Sequence, residues 1–127
     1  MKRIFIKGVP EPKGHYTPAM EAGGLIFASG LLPMDLNTGT PLMMGFDEQL
    51  AALFRNVDEL LASAGCARQD VVKVNAYISD IALWGRFNSA YSEFFGDHKP
   101  ARTVVPLGEK LHYGLDVEME LVAERRA

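Results

Sequence analysis

The sequence predicts an α+β fold, a mixed β-sheet with two helices packed on one of its faces. Three observations carry this expectation. Two stretches, Asp47 to Ala64 and Asp80 to about Phe95, place apolar residues three and four apart, the spacing of one helix face. Two others, Val71 to Ile78 and Leu115 to Ala123, alternate apolar and polar residues as strands do. Short β-rich runs closed by glycine and proline occupy the rest of the chain.

Taken in order, Ile4-Phe5-Ile6 is a short strand ended by Gly8 and Pro10, and residues 10–18 form a loop by their proline and glycine density. Leu25 to Ser29 reads as a buried strand stopped by Gly30 and Pro33. Asp35 to Gly39 is a turn, because Asn37 and Gly39 tolerate the left-handed backbone of a tight reversal. The first helix buries Leu50, Leu53, Phe54, Val57, Leu60, Leu61 and Ala64; Asp47 and Glu48 suit its positive end, and Gly65 closes it. In the following strand Val72, Val74, Ala76 and Ile78 share one face, with Lys73, Asn75 and Tyr77 on the other. Asp80 caps the second helix, whose stripe is Leu83, Phe87, Ala90, Tyr91 and Phe94, ended by Gly96 and Pro100. Thr103 to Val105 is a short β-rich run cut by Pro106. In the last strand Leu115, Val117, Met119 and Leu121 face the core, and Asp116, Glu118 and Glu120 face away. Two helices cover only one side of such a sheet, so the opposite face is expected to meet other subunits.

The 127 residues are read as one domain, 1–127, large enough to bury a core without staples. Hydrophobic residues make up 48% and charged residues 23%, the balance of a globular protein. A net charge of −3, with no run of more than two Lys or Arg, speaks against a nucleic-acid surface. The single cysteine, Cys66, forms no internal disulfide and is read as a small apolar filler. His15, His98 and His112 lack ligand spacing. The apolar run near the N-terminus is too short for a secretory signal, and no stretch approaches membrane-spanning length, so the expected setting is the reducing cytoplasm.

The chemistry centres on Lys99-Pro100-Ala101-Arg102-Thr103 and on Glu118, sixteen residues after the arginine. A guanidinium fork grips a carboxylate through two hydrogen bonds, and a carboxylate can hold a water and take its proton. From the residues alone, Arg102 stands evenly between this role and a surface ion pair. Glu118 reads more simply as one of three solvated strand carboxylates. Tyr16 is equally a packing aromatic, Ser29 a strand-end residue, and Asn88 a buried amide satisfied by backbone. Gly30 suits a close backbone approach, Trp84 and the methionines suit packing, and His112 and Tyr113 suit a rim more than a catalytic role.

The order and spacing of several segments resemble the RidA (YjgF) family of reactive-intermediate deaminases. They are Gly14-His15-Tyr16-Thr17-Pro18-Ala19, Phe27-Ala28-Ser29-Gly30, Asp35 to Gly39, Ala62-Ser63-Ala64-Gly65, Asp70-Val71-Val72-Lys73, Tyr77-Ile78-Ser79-Asp80, Phe87 to Phe95, Lys99 to Thr103, and Val117 to Ala123. The resemblance implies a chorismate-mutase-like fold and a homotrimer around a central β-barrel with clefts between subunits. It implies hydrolysis of 2-enamine and 2-imine carboxylates, such as 2-aminoacrylate and 2-iminopropionate, to 2-keto acids and ammonia. In that reading Arg102 binds the substrate carboxylate and Glu118 serves the attacking water. Tyr16, Ser29, Gly30 and Asn88 line the cleft, and no metal or organic cofactor is expected.

The chain departs from the family pattern at three places. Leu31 stands where a glutamine is common, Val104 where several members carry cysteine, and residues 108–114 replace the usual connection to the last strand. These affect specificity. A pathway-specific relative such as a 2-aminomuconate deaminase, or a binding protein that senses small carboxylates without turnover, are the alternative readings.

Overall fold

The computed structural model describes residues 1–126. Six strands form one sheet: β1 (Lys2–Ile4), β2 (Ala19–Ala22), β3 (Leu25–Ala28), β6 (Val71–Ile78), β7 (Ala101–Pro106) and β8 (Val117–Glu124), in the order β1-β2-β3-β8-β6-β7. β4 (Met34–Asp35) and β5 (Thr40–Pro41) make a separate small hairpin. All neighbours in the large sheet run antiparallel except β6 and β7, which are parallel and joined through the second helix. The sheet is therefore mixed, as expected.

Helix α1 (Phe46–Ser63) buries Leu50, Leu53, Val57, Leu60 and Leu61 against the sheet. Each such side chain contributes about 1.5–3 kcal/mol by leaving water. Helix α2 (Trp84–Phe95) is preceded by a 3₁₀ turn, Ile81–Leu83, whose first free amide is satisfied by Asp80: its Oδ1 accepts from the Ala82 N–H at 2.8 Å. The cap expected at Asp80 thus exists, but it serves the turn rather than the α-helix itself. α2 buries Phe87, Tyr91 and Phe95, and Phe94 stacks on Phe54 of α1 with ring centroids 4.5 Å apart. Both helices cover the face that carries Val74, Ala76, Ile78, Val117, Met119 and Leu121.

Several expectations are corrected. The first strand is Lys2–Ile4 rather than Ile4–Ile6, and β3 is not buried throughout, Phe27 being 45% exposed. β2 falls in a stretch assigned no structure; Gly23 and Gly24, both at positive φ, form the two-residue turn joining it to β3. Val72 does not share the buried face of β6. A bulge between Val71 and Lys73 turns Val71 inward and leaves Val72 48% exposed. Asp116 does not join Glu118 and Glu120 on the outer face of β8. It precedes the strand and anchors a polar cluster described below. The turn at Asp35 forms as expected: Asp35 Oδ1 accepts from the Asn37 N–H, and Gly39 adopts φ 71°.

The face away from the helices is mixed, with Phe27, Lys73, Asn75, Glu118, Glu120 and Val122 among its residues. Among the described residues no helix is long and apolar enough to cross a membrane.

Candidate active site

The sequence-derived candidates fall into two groups that one chain keeps apart. The first surrounds Arg102. Register pairs Arg102 with Val74 in the parallel β6–β7 ladder, and parallel partners share a face, so the guanidinium points to the helix side. There its Nη1 donates to Asn88 Oδ1 of α2 at 2.9 Å. The Tyr91 ring lies 4.8 Å from the guanidinium carbon, and the Trp84 ring 5.9 Å away. Asn88 is thereby a brace for the arginine rather than an amide satisfied by backbone, and Trp84 does more than pack. Burial pushes the Tyr91 phenol up to about 12, with Arg102 pulling the other way, so it stays protonated. Val104, two residues on, pairs with Ala76 and packs against the core.

The second group surrounds Glu118. Glu118 pairs with Tyr77 and points away from the helices. Burial pushes its carboxyl above the usual glutamate range, the Glu120 charge adds to this, and His112 opposes it. The two carboxylates are not equivalent. Glu120 accepts a short hydrogen bond from the Tyr77 hydroxyl, whereas Glu118 takes none among the described residues. Glu118 lies against Gly30: a Cβ built there would stand 2.9 Å from Cδ and collide with Oε2. Gly30 is needed for this close approach, not for an unusual φ. The approach is fixed by backbone, since Leu31 and Met119 exchange two N–H···O bonds of 2.7 and 3.0 Å. Leu31 is buried in the core, so the expected loss of a polar group at this position is met by packing.

Ser29 ties the neighbouring loop down. Its hydroxyl donates to the Thr17 carbonyl at 2.6 Å, and its N–H to the Pro18 carbonyl at 2.9 Å. That clamp sets Tyr16, 57% exposed, at the mouth of a cleft of about 690 Å³. Tyr16, Ser29, Gly30, Leu31, His112 and Tyr113 all line this cleft; Arg102 and Asn88 do not.

His112 and Tyr113 reach the cleft on a 3₁₀ turn (His112–Gly114) inside the atypical 108–114 segment. Tyr113 has φ 62°, a left-handed backbone that costs a bulky residue about 1–2 kcal/mol. The segment is anchored by Asp116. Its carboxylate accepts from Ser79 Oγ (2.7 Å), Lys110 Nζ (2.5 Å) and Gln49 Nε2 (3.0 Å), and its N–H donates to Gln49 Oε1 (2.9 Å). Burial pushes the Asp116 carboxyl up, but these hydrogen bonds outweigh it and hold the group below the ordinary aspartate range. The sequence reading missed this network. The polar Gln49 among the apolar positions of α1 was its one visible sign.

Of the remaining candidates, His98 Nε2 lies 2.7 Å from the Val71 carbonyl and holds the end of α2 to the sheet. Cys66 packs at the core margin, its thiol pushed up by burial and by Asp70. Among the described residues no three His, Cys, Asp or Glu side chains cluster as metal ligands.

The chain as a whole and its fold find close counterparts. The family model described as Endoribonuclease L-PSP matches residues 7–125. This chain belongs to that family, the one that includes YjgF and RidA. It is 40% identical over 125 residues to a RutC family protein of Aquifex aeolicus, covering 97% of this chain and 98% of that one. It is 30% identical over 105 residues to the 3-aminoacrylate deaminase RutC of Acinetobacter baylyi, covering 83% of each. The crystal structure of E. coli TdcF with bound serine superposes with a TM-score of 0.88 at 26% identity, covering 99% of this chain and all of that one. The L-PSP architecture of a mixed sheet with two helices on one face is the architecture of this chain.

Proposed function

We propose that the protein hydrolyses 2-imine carboxylates and their 2-enamine tautomers to 2-keto acids and ammonia, in sites shared between subunits of a homotrimer in the cytoplasm. The observation that carries this reading is the separation of its two charged groups. Arg102, braced by Asn88, projects from the helix side of edge strand β7, while Glu118 projects from the other face of the same sheet. One chain cannot close both around a small acid. A second copy that lays its β7 edge and α2 beside the first copy's Glu118 and cleft brings the fork and the carboxylate together.

In such a site Arg102 binds the substrate carboxylate through two N–H donors, its orientation set by Asn88 and by the aromatic rings. Glu118, made more basic by burial, accepts a proton from water as the oxygen adds to C2. The C2–N bond then breaks. The nitrogen leaves as ammonia, its two additional protons coming from the water whose oxygen becomes the keto group. Tyr16, Ser29 and Gly30 form the wall against which the imine carbon is held. The reaction is a hydrolysis, requires no redox partner, and uses no cofactor in this proposal.

The test is ammonia release from imines generated in situ by an amino-acid oxidase, with and without the protein. Acceleration proportional to the protein added is the expected result. Unchanged rates over a panel of amino acids, with 2-keto acid binding retained, would identify a carboxylate sensor instead. RNA incubated in parallel checks the activity for which the family is named; cleavage of RNA with no acceleration of any imine would replace the deaminase reading.

A further inference from the structure

The cleft beside Gly30 is larger than a three-carbon acid requires, and one side of it is apolar although Glu11, Lys13, Asp35 and Asn37 also line it. Its volume of about 690 Å³ falls in the range of pockets that enclose drug-sized molecules. Beyond Gly30 its walls include Phe5, Val9, Leu31 and Leu36, and its mouth is framed by the rings of Tyr16 and Tyr113. Val9, Leu31 and Leu36 belong to or pack against the hydrophobic core, so this wall is fixed rather than adaptable. The backbone that carries Tyr113 is held by construction: it is kept at φ 62° in a turn strapped through Lys110 and Asp116 to Gln49 and Ser79. His112 lies beside it with ring centroids 4.3 Å apart, which limits the swing of both rings.

A strained, bulky residue at a cleft rim is retained where its side chain does something a glycine cannot. We propose that the His112–Tyr113 turn makes this protein selective for 2-imino acids with large apolar or aromatic side chains, housing that side chain between Tyr113, Tyr16 and the Leu31–Leu36 wall. This rests on the deaminase reading above and adds the substrate class. A hydrophobic pocket discriminates by roughly 10- to 200-fold for each methylene-sized difference at best. A side chain as large as benzyl or isobutyl against methyl therefore gives ample range for a measurable preference.

The experiment compares imines generated from phenylalanine, leucine and alanine, with the protein-dependent ammonia rate normalised to the hydrogen peroxide formed by the oxidase. Wild type is expected to favour the phenylalanine- and leucine-derived imines over the alanine-derived one by at least about tenfold in kcat/KM. Tyr113→Gly, which removes the ring and suits the positive φ, is expected to reduce that ratio to below about threefold, while Tyr113→Phe retains it. Thermal midpoints of the two variants at or above wild type show that the fold is not the cause. Activity on all three imines with no preference, or a preference that survives Tyr113→Gly, overturns the specificity proposal and leaves the deaminase reading standing. No acceleration of any imine overturns the deaminase reading itself, and this proposal with it.

Discussion

The carboxylate of Glu118 occupies the volume that a side chain on residue 30 would fill, with Cδ 2.9 Å from where a Cβ would stand. Replacing Gly30 by alanine displaces the end of a flexible side chain rather than backbone. The stability change for Gly30→Ala is therefore expected below about 1 kcal/mol. A 1 Å displacement of a reacting group can cost up to about 100-fold in rate. We expect kcat/KM to fall by at least about tenfold with the urea midpoint nearly unchanged. An active Gly30→Ala enzyme would show that the glutamate's position is not critical.

Glu118→Gln keeps the shape and removes the proton acceptor. Turnover is expected to drop by about 100-fold or more, with little change in the affinity for an unreactive 2-keto acid. Stability should move the other way. The native carboxyl titrates above its ordinary value, so the fold favours its protonated form and is destabilised by its charge as pH rises through that value. A neutral amide at 118 should leave the denaturation midpoint at pH 7 equal to or above wild type. A midpoint clearly below wild type would mean that the charge stabilises the fold.

Arg102→Lys loses the two-pronged grip and the guanidinium that lies 4.8 Å from the Tyr91 ring. The expected loss is about 2–4 kcal/mol in transition-state binding, roughly 30- to 1,000-fold in kcat/KM. Mixed with Glu118→Gln chains by joint refolding, it should recover activity. About a quarter of random head-to-tail interfaces pair an intact arginine with an intact glutamate. Mixtures as inactive as their parents would place both groups in one chain's site.

Asp116 predicts an acid limb. Its native carboxyl titrates below the unfolded value of about 3.9, so it contributes stability above that pH and loses it as pH falls through the native value. Urea denaturation between pH 7 and pH 2.5 should show Asp116→Asn losing less stability on acidification than wild type. At pH 7 the variant should be less stable by about 1–3 kcal/mol, because buried Gln49 and Ser79 lose an ionised partner. Parallel pH curves for the two proteins would remove Asp116 from the account.

Much of this was legible in the chain. The stripes of α1 and α2, the Asp80 cap, the Asp35 turn and the alternation of β8 are local patterns, and local patterns report local structure. What escaped was set by distant contacts. The bulge that exchanges Val71 for Val72 depends on pairing with β8, and β2 exists because Gly23 and Gly24 fold it onto β3. The opposition of Arg102 and Glu118 follows from the parallel register Val74↔Arg102 and the antiparallel register Tyr77↔Glu118, which no spacing along the chain encodes. The Gly-Gly pair was an available hairpin signal; the Asp116 cluster offered only Gln49.

β7 is paired on one side alone, and it carries Arg102. In the proposed site, the strand that must find a neighbour is also the strand that delivers the substrate's anchor, so association and activity share one element. The active unit then has a threshold of its own, separate from unfolding. Diluting the protein should lower the rate per chain while its circular dichroism stays native, and substrate should restore both mass and rate at the same concentration. Measured activities would carry a dependence on how much protein is in the tube, and a figure obtained at nanomolar protein would understate what the chain does where it is abundant.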